Sequence, residues 1–235
     1  MFSDLSKAFG QTGDPAFRKV FFISTAISLV IFALLWGLAG YGVSFLDGLI
    51  ASWAESDGWF TDTLVTVAEA VSWLGVAALS LILFPSVMLI ILPFFLEDIA
   101  KAVEAKFYPE LGEGRQPPIG ETILGSISFV GVTILVNIIA LPLYILFLFI
   151  PPLNFVLFYL INGYLLGREY FEMVAQRRMV LKDAKVMRKA NSGKVLMSGF
   201  FLAFLLTVPI LNIAMPIWAT AFMLHRFERI RRAVA

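Results

Sequence analysis

The chain has no cysteine and a single histidine, His225, among its 235 residues. The first absence excludes disulfides, thiolate metal sites and a cysteine nucleophile; the second excludes a histidine-rich metal cluster. Charge is scarce as well, at 15% of residues, against about 25% in ordinary soluble domains. No P-loop, G-x-S-x-G, H-E-x-x-H or dinucleotide fingerprint occurs, so no cofactor is expected and the chain does not read as an enzyme. What fills the sequence instead is apolar: 60% of residues, with a mean hydropathy of +0.87. A core of this size does not need that much apolar surface, and the excess must face lipid.

Residues 20–46, 70–96, 122–167 and 195–224 contain no Asp, Glu, Lys or Arg. Each is longer than the roughly 20 apolar residues that cross about 30 Å of hydrocarbon. The first is too long for a signal-peptide core and has no small-residue cleavage motif. The segments between them differ in sign. Residues 47–69 hold five acids (Asp47, Glu55, Asp57, Asp62, Glu69) and no Lys or Arg, whereas residues 168–194 hold eight Lys/Arg and residues 225–235 hold four. The positive-inside rule places the acidic loop with Trp53 and Trp59 outside and every other polar segment, with both termini, in the cytoplasm. The third and fourth apolar blocks must then enter and leave on the same side.

Both blocks are interrupted by a short repeated element, Pro151-Pro152-Leu153-Asn154 and Pro209-Ile210-Leu211-Asn212. Proline stops the incoming helix and asparagine is a good N-cap for the outgoing one, so each block reads as helix, tight turn, helix. In the fourth block the arms 195–208 and 213–224 span only about 18–21 Å at 1.5 Å per residue. The turns carry no charge, unlike a turn at a far water interface. These blocks are expected to be hemi-penetrating hairpins, although 122–150 alone has the length to span, with Pro142 as a kink. Irregular backbone at membrane depth must be buried in protein or line water, so an oligomer interface or a pathway is expected there.

The predicted architecture is an all-α integral membrane protein forming one multi-helix membrane domain, 1–235. An interfacial N-terminus (1–19) has Phe2, Leu5 and Phe9 at helical spacing. Asp14-Pro15 caps and opens the first span. Two spanning helices (20–96) lead to a cytoplasmic helical extension and a Gly/Pro linker (97–121). The first hairpin (122–167), a basic cytoplasmic segment (168–194), the second hairpin (195–224) and a basic C-terminus (225–235) follow. Gly163 and Gly167 form a G-x-x-x-G pair suited to close helix packing. The Arg/Lys run at 177–194 reads as a cytoplasmic helix and topology signal rather than a nucleic-acid site.

Two features favour a small anion. Arg18 and Lys19 follow Pro15 on the first turn of the first spanning helix, where free amides and two cations make an anion site. The same residues also satisfy the positive-inside rule as plain anchors. Each hairpin turn aims the start of a half-helix into the membrane, a transporter device, although the opposed half-helix partly cancels its dipole. Edge charges including Glu97, Asp98, Glu104, Arg168 and Glu172 are candidates for bounding or gating a path. Arg168 and Glu172 lie at i, i+4 and can form a helical ion pair. His225 at the end of the last helix is explained by interfacial placement.

Taken in order, the Pro-Ala-Phe-Arg-Lys segment at 15–19, Leu-Pro-Phe at 92–94, Val-Glu-Ala at 103–105, Ile-Pro-Pro-Leu-Asn at 150–154, Tyr170-x-Glu172 and Val-Pro-Ile-Leu-Asn at 208–212 resemble the CysZ family of bacterial sulfate-uptake membrane proteins over nearly the whole chain. The resemblance implies two spanning helices and two hemi-penetrating hairpins, assembled as a homo-oligomer in the bacterial inner membrane. It also implies sulfate uptake for cysteine biosynthesis. The family's Gly-Leu-Arg-Arg-like sulfate-binding turn falls on Ala16, Phe17, Arg18 and Lys19. Here Ala16 stands in place of the glycine and Lys19 in place of an arginine, and Asp14 adds a negative charge within one turn.

The function so implied is a channel-like permease for sulfate or a related small oxyanion, with the lipid bilayer as its other partner and no metal. No Lys or Arg lies inside the apolar blocks, which favours a low-affinity pore. A permease for a different small anion fits the same residues, as does a non-transporting scaffold or partner subunit.

Overall fold

The fold comes from a computed structural model, which describes residues 1–53 and 59–233. Glu55 and Asp57 of the acidic loop lie outside the described residues, as do the side chains of Trp53, Pro209 and Asn212. Every regular element among the described residues is helical: α1 (Phe2–Gly10), α2 (Pro15–Trp53), α3 (Trp59–Ile91), α4 (Leu96–Phe107), α5 (Ile119–Leu146), α6 (Pro151–Ala175), α7 (Leu181–Ala190), α8 (Ser192–Leu206) and α9 (Pro209–Arg232). Short 3-10 turns at Leu92–Phe95, Pro109–Leu111 and Phe147–Phe149 link some of them. The chain is an all-α membrane protein. Two stretches, Pro15–Phe45 and Ile119–Phe149, are long and apolar enough to cross a bilayer, each 31 residues.

The residues cluster into two units, Phe21–Pro93 and a second made of Met1–Val20 with Phe94–Ala235. Within the first, α2 and α3 run antiparallel. Trp36 donates its indole N–H to Ser80 Oγ at 2.7 Å, and its ring lies 5.9 Å from that of Trp73. Gly40 brings α2 up to Trp73, since a Cβ there would touch the indole at 3.4 Å.

In the second unit α9 is the central helix. From Met215 to Ile230 almost every side chain is buried, against α1, α4, α6 and α8. The closest packing is α6 on α8. A Cβ added to Gly199 would lie 1.9 Å from the Gly163 carbonyl oxygen, and one on Gly167 would lie 2.7 Å from the Val195 oxygen. The G-x-x-x-G pair therefore does what its spacing predicts, with Gly199 as its partner across the interface. By contrast α5 buries only Ala140, and most of its other apolar side chains are exposed.

The two proline turns correct one detail. Proline pushes the residue before it out of the helical region, and Ile150 (φ −129°, ψ 74°) and Val208 (φ −85°, ψ 112°) are the N-caps of α6 and α9. The prolines thus open the outgoing helices at their first turn. Asn154 and Asn212 lie one turn inside these helices rather than at their N-caps. The segment 112–120 is also more than a linker. Arg178 donates to the carbonyls of Leu111, Gly112 and Glu113, and the Arg115 amide donates to the Arg177 carbonyl at 2.7 Å.

Candidate anion site and buried charge network

The start of α2 is built by its inward residues. Phe17 and Val20, three apart, are buried and anchor the first turn, while Ala16 is half-buried and Arg18 and Lys19 point outward and are exposed. The Arg18 amide is the first in the helical ladder, donating to the Asp14 carbonyl at 3.1 Å. The amides of Ala16 and Phe17 precede that ladder and are the free donors of a helix start. Among the described residues neither Arg18 nor Lys19 meets an acid. The nearby Asp14 is already engaged: Lys106 of α4 donates to both its oxygens at 2.9 and 3.0 Å, and Gln11 donates to Oδ2 at 3.1 Å. Among the described residues the turn therefore keeps two unpaired cations beside one ion-paired carboxylate.

The predicted edge charges fall into two clusters. In the first, Arg177, only 4% exposed, donates Nε to Glu104 Oε1 at 3.1 Å and Nη2 to Glu104 Oε2 at 2.5 Å, and its Nη1 meets Glu97. Arg178 adds a contact to Glu104 Oε1 at 2.9 Å. Gly114 is pressed against this group, because a Cβ there would fall 2.7 Å from Arg177 Nη2. Asp98, though adjacent to Glu97, is exposed.

In the second cluster, Arg168 donates Nε to Glu172 Oε1 at 3.3 Å, the expected i, i+4 pair. Arg188 of α7 donates to the same oxygen at 2.8 Å. The other end of Arg168 reaches α5, with Nη2 at 3.2 Å from the Ser128 carbonyl and 3.0 Å from Ser128 Oγ. Lys185 Nζ also lies 3.2 Å from that hydroxyl. Arg168 and Glu172 are both buried, and Arg168 Nη1 has no partner.

At the hairpin turns, Tyr144, Pro151, Asn154, Tyr159 and Thr207 line a cavity of about 500 Å³. Tyr159 donates to Thr207 Oγ1 at 3.3 Å, and the Asn154 Oδ1 is buried without a partner. Pro152 itself is exposed.

His225 is not an interfacial side chain. It is 1% exposed, with Nδ1 2.8 Å from the Tyr108 hydroxyl and the Phe107 ring edge-on at 4.8 Å. Burial, and next the charge of Lys7, lower its pKa to about 4, so the ring is neutral at pH 7. Burial and the Glu228 charge push Tyr108 up to about 12. Nearby, buried Asp4 of α1 holds Arg229 at 2.5 Å and Arg226 at 3.6 Å.

Arg177, Arg188, Ser128, Lys185 and Tyr108 join the network without a sequence motif to mark them. The basic run at 177–194 reads as a cytoplasmic helix and topology signal, yet Arg177 and Arg188 turn inward. The signal available was the surplus of acids at 97–121, which needed cations from elsewhere.

The all-helical fold, with long apolar stretches of spanning length, defines an integral membrane protein. Residues 4–216 match the family described as Sulfate transporter CysZ/Etoposide-induced protein 2.4, and the chain belongs to that family. Compared with curated proteins, it matches none.

Proposed function

We propose that the protein is a channel-like permease for sulfate in the bacterial inner membrane, with both termini cytoplasmic, supplying sulfur for cysteine biosynthesis. Family membership supports a sulfate-transporter role. The observation that carries the reading is the first turn of α2: Arg18 and Lys19 stand exposed and unpaired while Lys106 occupies Asp14. Such a turn attracts a dianion by long-range steering and by short hydrogen bonds from the Ala16 and Phe17 amides.

Beyond that turn the apolar blocks hold no Lys or Arg. Passage therefore relies on weak, uncharged contacts, which suits conduction, where an ion must leave as readily as it binds. The hydroxyls and amide at the hairpin turns are the polar groups placed for this. Glu97 and Asp98 are exposed at the edge of the path, whereas Glu104, Arg168 and Glu172 are buried in ion pairs that any gating motion must break. The nearly bare α5 supports a homo-oligomer in lipid, since so exposed an apolar helix needs lipid or a second copy around it.

The test is radiolabelled sulfate uptake into liposomes holding the purified protein, beside the Arg18→Ala/Lys19→Ala variant. Uptake by the wild type that falls in the variant is expected. No uptake by folded, inserted protein would overturn the reading.

A further inference from the structure

We propose that the foot of α5 and helix α7 form a binding site for the phosphate headgroup of an anionic phospholipid. This inference stands on the membrane assignment and not on sulfate transport. A cavity of about 460 Å³ lies between these elements, lined by Glu121, Leu124, Val180, Leu181, Lys182 and Lys185. Leu124, Val180 and Leu181 make part of the lining apolar, and its two lysines come from α7, which also carries Arg188 and Lys189 against Asp183 alone.

The acid in the lining is already taken. Arg115 pairs with both oxygens of Glu121, and the Leu181 amide donates to Oε1 at 2.6 Å. Its carboxyl is held below the usual range, chiefly by the Arg115 hydrogen bond. The lysines have no such partner. Lys182 is exposed, and half-buried Lys185 meets only the neutral Ser128 hydroxyl. That hydroxyl also receives Arg168, whose Nη1 is buried and unpartnered, while Arg168 and Arg188 share a single carboxylate oxygen on Glu172. Half-buried Lys185 has no acid among the described residues, and buried Arg168 shares its one carboxylate oxygen with Arg188. Partly buried charge of that kind favours a counter-anion, which exposed Lys182 is placed to help hold.

The surroundings select which anion. Leu124, in the lining, is exposed along the apolar face of α5 together with Ile123 and Ile127. A free oxyanion would use the lysines and leave this surface wet. A phospholipid uses both, with its phosphate on the lysines and its acyl chains along α5. Basic pockets beside a spanning helix on the cytoplasmic side recognise headgroups in this way.

The experiment measures thermal melting of the purified protein in a neutral detergent. The probes are phosphatidylglycerol, phosphatidylcholine and inorganic phosphate, applied to the wild type, Lys182→Gln/Lys185→Gln and Lys182→Glu. Stabilisation by phosphatidylglycerol alone is expected. The double variant should need about 30-fold more of that lipid, at roughly one kcal/mol per lysine. Lys182→Glu, on an exposed residue that leaves the Ser128 contact intact, should weaken the response in the same direction. Equal stabilisation by phosphatidylcholine, or an unchanged response in Lys182→Glu, would overturn the proposal. Stabilisation by inorganic phosphate to the same extent would assign the site to a free oxyanion and overturn the lipid reading.

Discussion

Arg177, just beyond α6, grips Glu104 of α4 through two parallel hydrogen bonds across 73 residues of sequence. Both side chains are buried, and Arg177 also holds Glu97 and abuts Gly114. Removing one member of a buried pair leaves the other short of its partner, which typically costs about 3–5 kcal/mol, although Arg178 at 2.9 Å keeps Glu104 partly compensated. Arg177→Met is therefore expected to lower the melting temperature, and Arg177→Met/Glu104→Met should recover part of the loss, Arg178 then lacking its acid. Arg177→Lys should rescue poorly, since an ammonium lacks the planar fork that matches both carboxylate oxygens. Melting of the three variants in detergent checks this, and equal losses in single and double variants would refute the pair's importance.

The α6–α8 crossing is set by glycines, and the prediction there is steric. Gly199→Ala places a methyl group 1.9 Å from the Gly163 carbonyl oxygen and 2.5 Å from the Gly167 amide nitrogen, all backbone. No rotamer relieves such a clash, so the helices must separate and lose the packing between them. Gly199→Ala is expected to abolish folded material or to destabilise it by more than about 3 kcal/mol. Gly193→Ala, where a Cβ meets nothing within 4 Å, is the matched control and should be near neutral. Monodisperse yield after detergent extraction reads the difference.

The contrast between these two sites shows what sequence patterns carry. Gly163 and Gly167 announce their packing because the signal is local: two small residues one turn apart on an apolar helix. The paired proline turns are legible for the same reason, but the pattern does not reveal that Pro151 and Pro209 already begin the outgoing helices, which puts Ile150 and Val208 at the N-caps. Arg177 and Arg188 gave no such signal. A count of cations treats every arginine in a basic run as solvated, and their acids lie on other elements. His225 was misread likewise, since its partner Tyr108 belongs to the end of α4, 117 residues away.

His225 gives a pH prediction. Its pKa in the folded protein is lowered to about 4, against about 6.5 unfolded. The unfolded chain therefore binds the proton first as pH falls, so this residue's stabilising share is complete above about 6.5 and is lost on acidification towards 4. Full loss amounts to about 3 kcal/mol. A replacement that does not titrate, His225→Gln, should melt lower at pH 7.5 yet show a flatter decline between pH 6.5 and 4.5. Parallel declines in wild type and variant would remove His225 from the account.

The last prediction concerns Lys106, which reaches the first turn of α2 without belonging to it. Lys106 donates to both oxygens of Asp14, and the pair is partly exposed, so its contribution to stability is small. Its effect on the potential at Arg18 and Lys19 is larger than its effect on folding. Lys106→Ala leaves Asp14 without its cation, held only by Gln11, one turn from Arg18 and Lys19, and lowers the local charge by one. Asp14→Asn raises it by one and frees Lys106. Sulfate uptake in liposomes should fall about twofold in the first variant and rise by a similar factor in the second, with melting temperatures little changed. Both effects should shrink as ionic strength rises, because the Debye length falls from about 10 Å at 0.1 M to about 3 Å at 1 M. Opposite signs that vanish with salt would mark electrostatic capture at the first turn of α2. A fall in both variants would instead mean that the Asp14–Lys106 bond matters as a tie between α4 and the start of α2, and capture of the anion would have to be sought elsewhere in the chain.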